Sequence, residues 1–177
     1  SGWLTYGTGE VQDEWLADSL ATMLVITPID LVDKNTFMSI AHQTAHQWWG
    51  HMVLWRSYRD QWLSEGFAEY SGVLYAGHRD GAALGRKLLG RLRKSLVASS
   101  VGIGRLTDVG PITVGHRLAA SSVGTRGAAN TGSLIYNKGA LVLRMLHFLF
   151  TDPVSGNGQA FFDMIRDFLR RYQNKSA

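Results

Sequence analysis

Leu84, Leu88, Leu92 and Leu96 recur every four residues, with Arg86, Lys87, Arg91, Arg93 and Lys94 between them. Residues four apart share one face of a helix, so this pattern predicts a surface helix over about 82–98 with an apolar stripe and a basic, solvated face. A second amphipathic pattern, burying Phe161, Phe162, Ile165, Phe168 and Leu169, predicts a helix over about 158–172. Between them lies an apolar run over about 133–150 that contains Tyr136 and is broken by Asp152-Pro153. Two further helices are predicted upstream. One is capped by Asp33 or Asn35 and runs to about Trp49, with Gly50 as its terminator. The other is capped by Asp60 and covers about 61–76, ending at Gly77, with Asp80-Gly81 as a turn.

The start of the chain is mixed. Trp3 to Tyr6 suits a short strand and Gly7 to Gly9 a turn, while Glu14 to Val25 reads as a helix or a buried apolar segment ended by Pro28. Residues 99–132 are rich in Gly, Ser and Ala and have almost no helical periodicity, so they read as a long loop. No internal repeat is present. The expected class is mainly α, with little or no β-sheet.

Composition narrows the picture. The 177 residues suit one domain or part of a larger one, and a 45% hydrophobic content with 18% charged residues supports a packed core. With no cysteine, disulfides and Cys-ligated metals are excluded. No segment supplies the roughly 18 apolar residues of a membrane span. No signal peptide is evident at Ser1-Gly2-Trp3, and the lack of an initiator Met suits a processed or truncated chain. The net charge of +4 comes largely from the five cations of the 82–98 segment. Because these alternate with leucine in no nucleic-acid-binding motif, no nucleic-acid partner is expected.

His42 and His46 lie four residues apart on a predicted helix, so both imidazoles can face one metal ion. Glu65 follows after eighteen intervening residues, on what reads as the next helix, flanked by Trp62, Leu63 and Phe67. Two His and one Glu, with a further position open, form the ligand set of a catalytic zinc site. An ionised Glu among apolar side chains needs a partner, and a cation supplies one. As bare spacing, the same residues also fit two core histidines bonded to backbone and a helix-capping Glu. His51, His78, His116 and His147 have no metal spacing and read as surface or packing residues.

The stretch Ile40 to Tyr70 resembles the aminopeptidase N family of gluzincin metallopeptidases, whose signature is H-E-x-x-H, eighteen residues, then E, often within W-L-x-E-G-F-A-x-Y. Here the corresponding residues are His42 to His46 and Trp62-Leu63-Ser64-Glu65-Gly66-Phe67-Ala68-Glu69-Tyr70. A second segment, Tyr136-Asn137-Lys138-Gly139-Ala140-Leu141-Val142-Leu143-Arg144-Met145-Leu146, is similar to the family's Y-x-K-G-A-x-V-L-x-M-L. The resemblance implies a thermolysin-like, mostly helical catalytic core that hydrolyses peptide bonds with Zn2+ as cofactor. It makes His42, His46 and Glu65 the zinc ligands and Tyr136 the oxyanion-stabilising hydroxyl. Glu69, one turn after Glu65, is placed to orient a ligand imidazole as outer-shell carboxylates do. The expected partner is a peptide substrate.

The chain departs from the family pattern in three places. Gln43 occupies the position of the general-base Glu, and a carboxamide cannot accept and deliver a proton at pH 7. Activity is therefore expected to be weak or absent, with zinc binding retained. A Glu-to-Gln inactivation and a natural pseudo-peptidase that binds peptide or protein both fit this residue. The family's G-x-M-E-N strand is missing, although Glu10 lies at a similar distance from the first His. Finally, the resemblance implies a β-rich domain before this region and helical domains after it. Residues 1–177 then read as a single metallopeptidase-like catalytic domain from a larger multidomain enzyme, with self-association expected through apolar surface exposed by truncation.

Overall fold

The computed structural model describes residues 17–20, 23–26, 36–102, 111–114 and 133–177. The expected strand at Trp3–Tyr6, the turn at Gly7–Gly9, the caps at Asp33 and Asn35, Glu10, His116 and most of the 99–132 loop lie outside these residues.

The chain is mainly helical. Strands β1 (Ala17–Leu20) and β2 (Met23–Ile26) form an antiparallel pair in which Ala17 opposes Ile26 and Leu20 opposes Met23. Within the 14–25 segment, ambiguous between helix and buried apolar run, the described residues are therefore strand; the β-branched Val25 and Ile26 suit a pleated pair. Helix α1 (Thr36–Ala45) follows, with β3 (Val53–Leu54), a 3-10 turn (Tyr58–Asp60), α2 (Trp62–Asp80) and α3 (Ala82–Gly102) after it. Downstream come a 3-10 turn (Ile112–Val114), a π-helical turn (Ser133–Lys138), α4 (Gly139–Leu149), α5 (Gln159–Tyr172) and β4 (Lys175–Ser176). β4 pairs in parallel with β3, Val53 opposite Lys175, and so ties the end of the described chain to the link between α1 and α2.

Helix α2 is the central element, packed against α1, α3, α4 and the π-helical turn. That position explains its composition. Ser64, Gly66, Phe67, Ala68, Tyr70, Gly72, Val73 and Ala76 are all buried, more than one apolar stripe, because helices approach it from several sides. Trp49 lies 4.2 Å from Phe67 between ring centroids, and Phe67 stacks on Phe168 of α5. Trp49 and Phe67 are buried, and each contributes roughly 2 kcal/mol through the area removed from water. On α3, Leu88 and Leu92 are buried while Arg86, Lys87, Arg91, Arg93 and Lys94 are exposed, as the leucine spacing requires.

Several helix ends differ from expectation. α1 stops at Ala45 rather than near Trp49, because Trp49 bridges to Val53 and Gly50 turns the chain at φ 106°. This is a left-handed conformation that favours glycine, and a Cβ there would also meet Ser64 Oγ at 2.5 Å. α2 continues through Gly77 to Asp80, where Gly77 faces Gly85 of α3 at close range. Asp60 does not cap α2. It completes a capping box with Ser57 around the preceding 3-10 turn. Phe161 is buried on α5, but Phe162, expected in the core, is 39% exposed.

Candidate metal centre

His42 lies in the last turn of α1, and His46 follows directly, held in helical phase by its N–H to the His42 carbonyl at 3.3 Å. Glu65 is in the first turn of α2. The packing of α1 on α2 brings the three together: His42 Nε2 lies 3.1 Å from His46 Nε2, and Glu65 Oε2 lies 3.7 Å and 3.3 Å from these two nitrogens. Among the described residues, this is the group of His, Cys, Asp or Glu placed to share a metal ion.

The outer ring nitrogens set the tautomers. His42 Nδ1 is 2.9 Å from Glu69 Oε2, and His46 Nδ1 is 2.9 Å from the Trp49 carbonyl oxygen. Both partners accept, so each Nδ1 donates, and in a neutral ring the Nε2 lone pair is left facing the other two ligands. The Ser64 hydroxyl also donates to the Trp49 carbonyl at 3.1 Å, which fixes the acceptor that holds His46. Ser64 and the Trp49 carbonyl have no period or charge to mark them in the sequence, apart from the position of Ser64 next to Glu65.

The donor set fits a divalent cation. Glu65 Oε2 is buried and makes no hydrogen bond, a costly state for a carboxylate oxygen unless a cation faces it. Burial disfavours the His42 imidazolium, but the Glu65 and Glu69 carboxylates outweigh it and raise its pKa to about 9. Burial likewise disfavours the Glu65 carboxylate, yet His42 and His46 hold its pKa down at about 2. A divalent cation held by His42, His46 and Glu65 would compete with the His42 proton.

Tyr136 enters from the far end of the chain. It sits in the π-helical turn before α4, and its ring is stacked on the His42 imidazole with centroids 5.7 Å apart and planes 7° from parallel. π-Helical turns occur often at functional sites, where they re-aim a side chain. Gln43 is half-buried beside His42 and lines a cavity together with His42, Glu69 and Tyr136. Of the remaining histidines, His78 is exposed, and His147 packs in the core edge, stacked on Phe161 and accepting the Tyr70 hydroxyl at Nδ1 over 2.7 Å.

A His-x-x-x-His pair at the end of one helix and a Glu from the next helix together could hold a metal ion, with a tyrosine stacked on the first imidazole. Residues 15–177 match the peptidase family M1 domain, and the chain belongs to that family of metal-dependent hydrolases. It is 34% identical over 127 residues to aminopeptidase N of Canis lupus familiaris, covering 70% of this chain and 12% of the relative. Over 164 residues it is 28% identical to aminopeptidase N of Homo sapiens, covering 89% of this chain and 16% of the relative. Glutamyl aminopeptidase of Sus scrofa is 25% identical over 182 residues, covering 97% of this chain and 17% of the relative. The chain thus spans about a sixth or less of the length of these relatives. No solved structure matches it. Among the described residues, no helix is long and apolar enough to cross a membrane.

Proposed function

We propose that residues 1–177 form the zinc-binding catalytic domain of a larger, aminopeptidase N-like enzyme, with His42, His46 and Glu65 as the ligands. The observation that carries this reading is the convergence of two imidazole nitrogens on a buried carboxylate oxygen that has no hydrogen bond of its own. When bound, zinc polarises the scissile carbonyl and lowers the pKa of water in the site.

The chain's own residues supply the rest. Glu69 holds the His42 ring in the ligating tautomer through the 2.9 Å contact at Nδ1. The Tyr136 hydroxyl donates to the oxygen that gains charge as the peptide carbonyl is attacked. Gln43 stands where a base must take a proton from water and hand it to the leaving amine. Its carboxamide can orient water but cannot hold that proton. The expected consequence is a rate about 10²–10⁴-fold below that of a Glu at this position.

Gln43 also supports a second reading, a zinc-loaded domain that binds peptide or protein without turning it over. Metal content by elemental analysis, on protein purified without chelator and compared with Glu65→Ala, tests the shared part of both. About one zinc per chain, lost in the variant, is expected. A metal-free protein that stays so after zinc is supplied would overturn both. Peptide-bond hydrolysis by Gln43→Glu then separates them.

A further inference from the structure

Helix α4 carries two apolar stripes. The inward one, with Gly139, Ala140 and Leu143, is buried where α4 packs on α2. The other holds Leu141, Met145, Phe148 and Leu149, spaced i, i+4, i+7 and i+8, and lies on the opposite side of the helix. Arg144 and His147 are the only polar side chains between Gly139 and Leu149. A helix with one side in water typically has a polar outer face, whereas a helix that is apolar all round is a covered one. Here Met145 is 65% exposed, Phe148 68% and Leu149 74%.

The apolar surface continues past the end of the helix. Leu149 and Phe150 line a hollow of about 470 Å³ together with Pro153 and Ala160, and Val154 beside it is 94% exposed. A ridge and a hollow therefore lie side by side on one face.

We propose that this face is a self-association surface, through which two copies of this chain pair about a two-fold axis, the α4 ridge of each meeting the ridge and hollow of the other. Three observations favour a second copy over another kind of partner. A two-fold interface uses the same patch on both subunits and so needs a self-complementary one, and a ridge next to a hollow supplies both halves. The exposed apolar area is on the order of 600 Å² at roughly 200 Å² per large side chain, close to the ~800 Å² that each partner gives to a stable interface. The surroundings are also near neutrality. Helix α5 flanks the ridge, with Phe162 5.2 Å from His147, and its Asp163 and Asp167 are already paired with Arg166 and Arg171. The cations behind the net charge of +4 lie largely on α3. Two copies can therefore meet through α4 without strong repulsion, and a highly charged partner finds no matching field there.

Sedimentation equilibrium of the 177-residue chain over about 1–100 µM tests this. The expected result is a reversible monomer–dimer equilibrium with a Kd in the micromolar range. Phe148→Lys and Leu149→Lys, both at exposed positions, should keep the helical circular dichroism of the parent and weaken the dimer about tenfold or more. Val97→Lys, at an exposed apolar position on α3, should leave it unchanged. The chain has no cysteine, so Met145→Cys gives an independent reading that does not depend on a charge being tolerated. A short bis-maleimide should join two copies of that variant into a covalent dimer, whereas Val97→Cys should stay a single chain. A protein that is monomeric at about 100 µM would overturn the inference and leave the ridge to a different polypeptide. Open-ended aggregation in place of a closed dimer, a dimer that survives both lysine variants, or equal crosslinking of Met145→Cys and Val97→Cys would overturn it as well.

Discussion

Gly66 and Gly139 touch through their backbones: a Cβ added to either one would lie 2.9 Å from the Cα of the other. Gly66 immediately follows Glu65, and Gly139 comes three residues after Tyr136. This contact brings α2 and the start of α4 as close as two helices can come, and it sets the spacing between the metal centre and the tyrosine above it. Gly66→Ala or Gly139→Ala should therefore cost about 1–3 kcal/mol from overpacking. Urea denaturation should show the lower midpoint, and a loss within about 0.5 kcal/mol would mean that the helices can part without strain.

Glu69→Gln should leave the fold in place and weaken zinc binding by about 10–100-fold, because a carboxamide holds the His42 Nδ1–H less strongly than a carboxylate. Competition with a chromophoric chelator measures this. Unchanged affinity would show that the 2.9 Å contact does not tune the ligand.

Gln43→Glu should raise peptide hydrolysis by about 10²–10⁴-fold in the zinc-loaded protein. In that background, Tyr136→Phe should lower kcat by about 10²–10³-fold with little change in stability, since only the hydroxyl is removed. Assays on a fluorogenic aminoacyl amide and on a blocked internal peptide would show both effects and also the exopeptidase or endopeptidase mode. A Tyr136→Phe variant as fast as its parent would remove the hydroxyl from the mechanism.

The Tyr70–His147 contact gives stability a dependence on pH. Burial, and then the charge of Arg144, lower the His147 pKa below its ordinary value of 6.5. Burial raises that of Tyr70 to about 12, against the opposing effect of Arg144, so its hydroxyl keeps the proton it donates. A depressed folded-state pKa means that the contribution is fully present above the unfolded value and is lost as pH falls through the folded one. Thermal stability should drop below about pH 6.5, and His147→Gln should flatten that part of the profile. An unchanged slope in the variant would assign the acid sensitivity to another group.

Much of this site could be read from local spacing. His42 and His46 share a face because a helix repeats every 3.6 residues, and the four-residue spacing of the leucines marked the buried and solvated sides of α3 in the same way. Glu69 falls one turn beyond Glu65 for the same reason. Boundaries were less legible. α1 ends early because Trp49 pairs with Val53, and α2 runs past Gly77 because α3 packs there at glycine-to-glycine distance; neither partner is adjacent in sequence. The 14–25 segment held too little periodicity to decide between a helix and a buried apolar segment. Pairing of β1 with β2 resolved it.

The helical phase of His42 with His46 and of Glu65 with Glu69, and the presence of Gln43 beside His42, were all present in the order of residues, since each depends on neighbours within a turn or two. What only the tertiary structure decided is how distant groups meet. Glu65 Oε2 lies between two imidazole nitrogens without a hydrogen bond, the Trp49 carbonyl and Ser64 fix the His46 ring, Tyr136 stacks on His42, and Arg91 reaches the cavity beside Gln43. These contacts arise from the packing of helices against α2, and packing depends on the shapes of surfaces far apart along the chain, which no local period encodes.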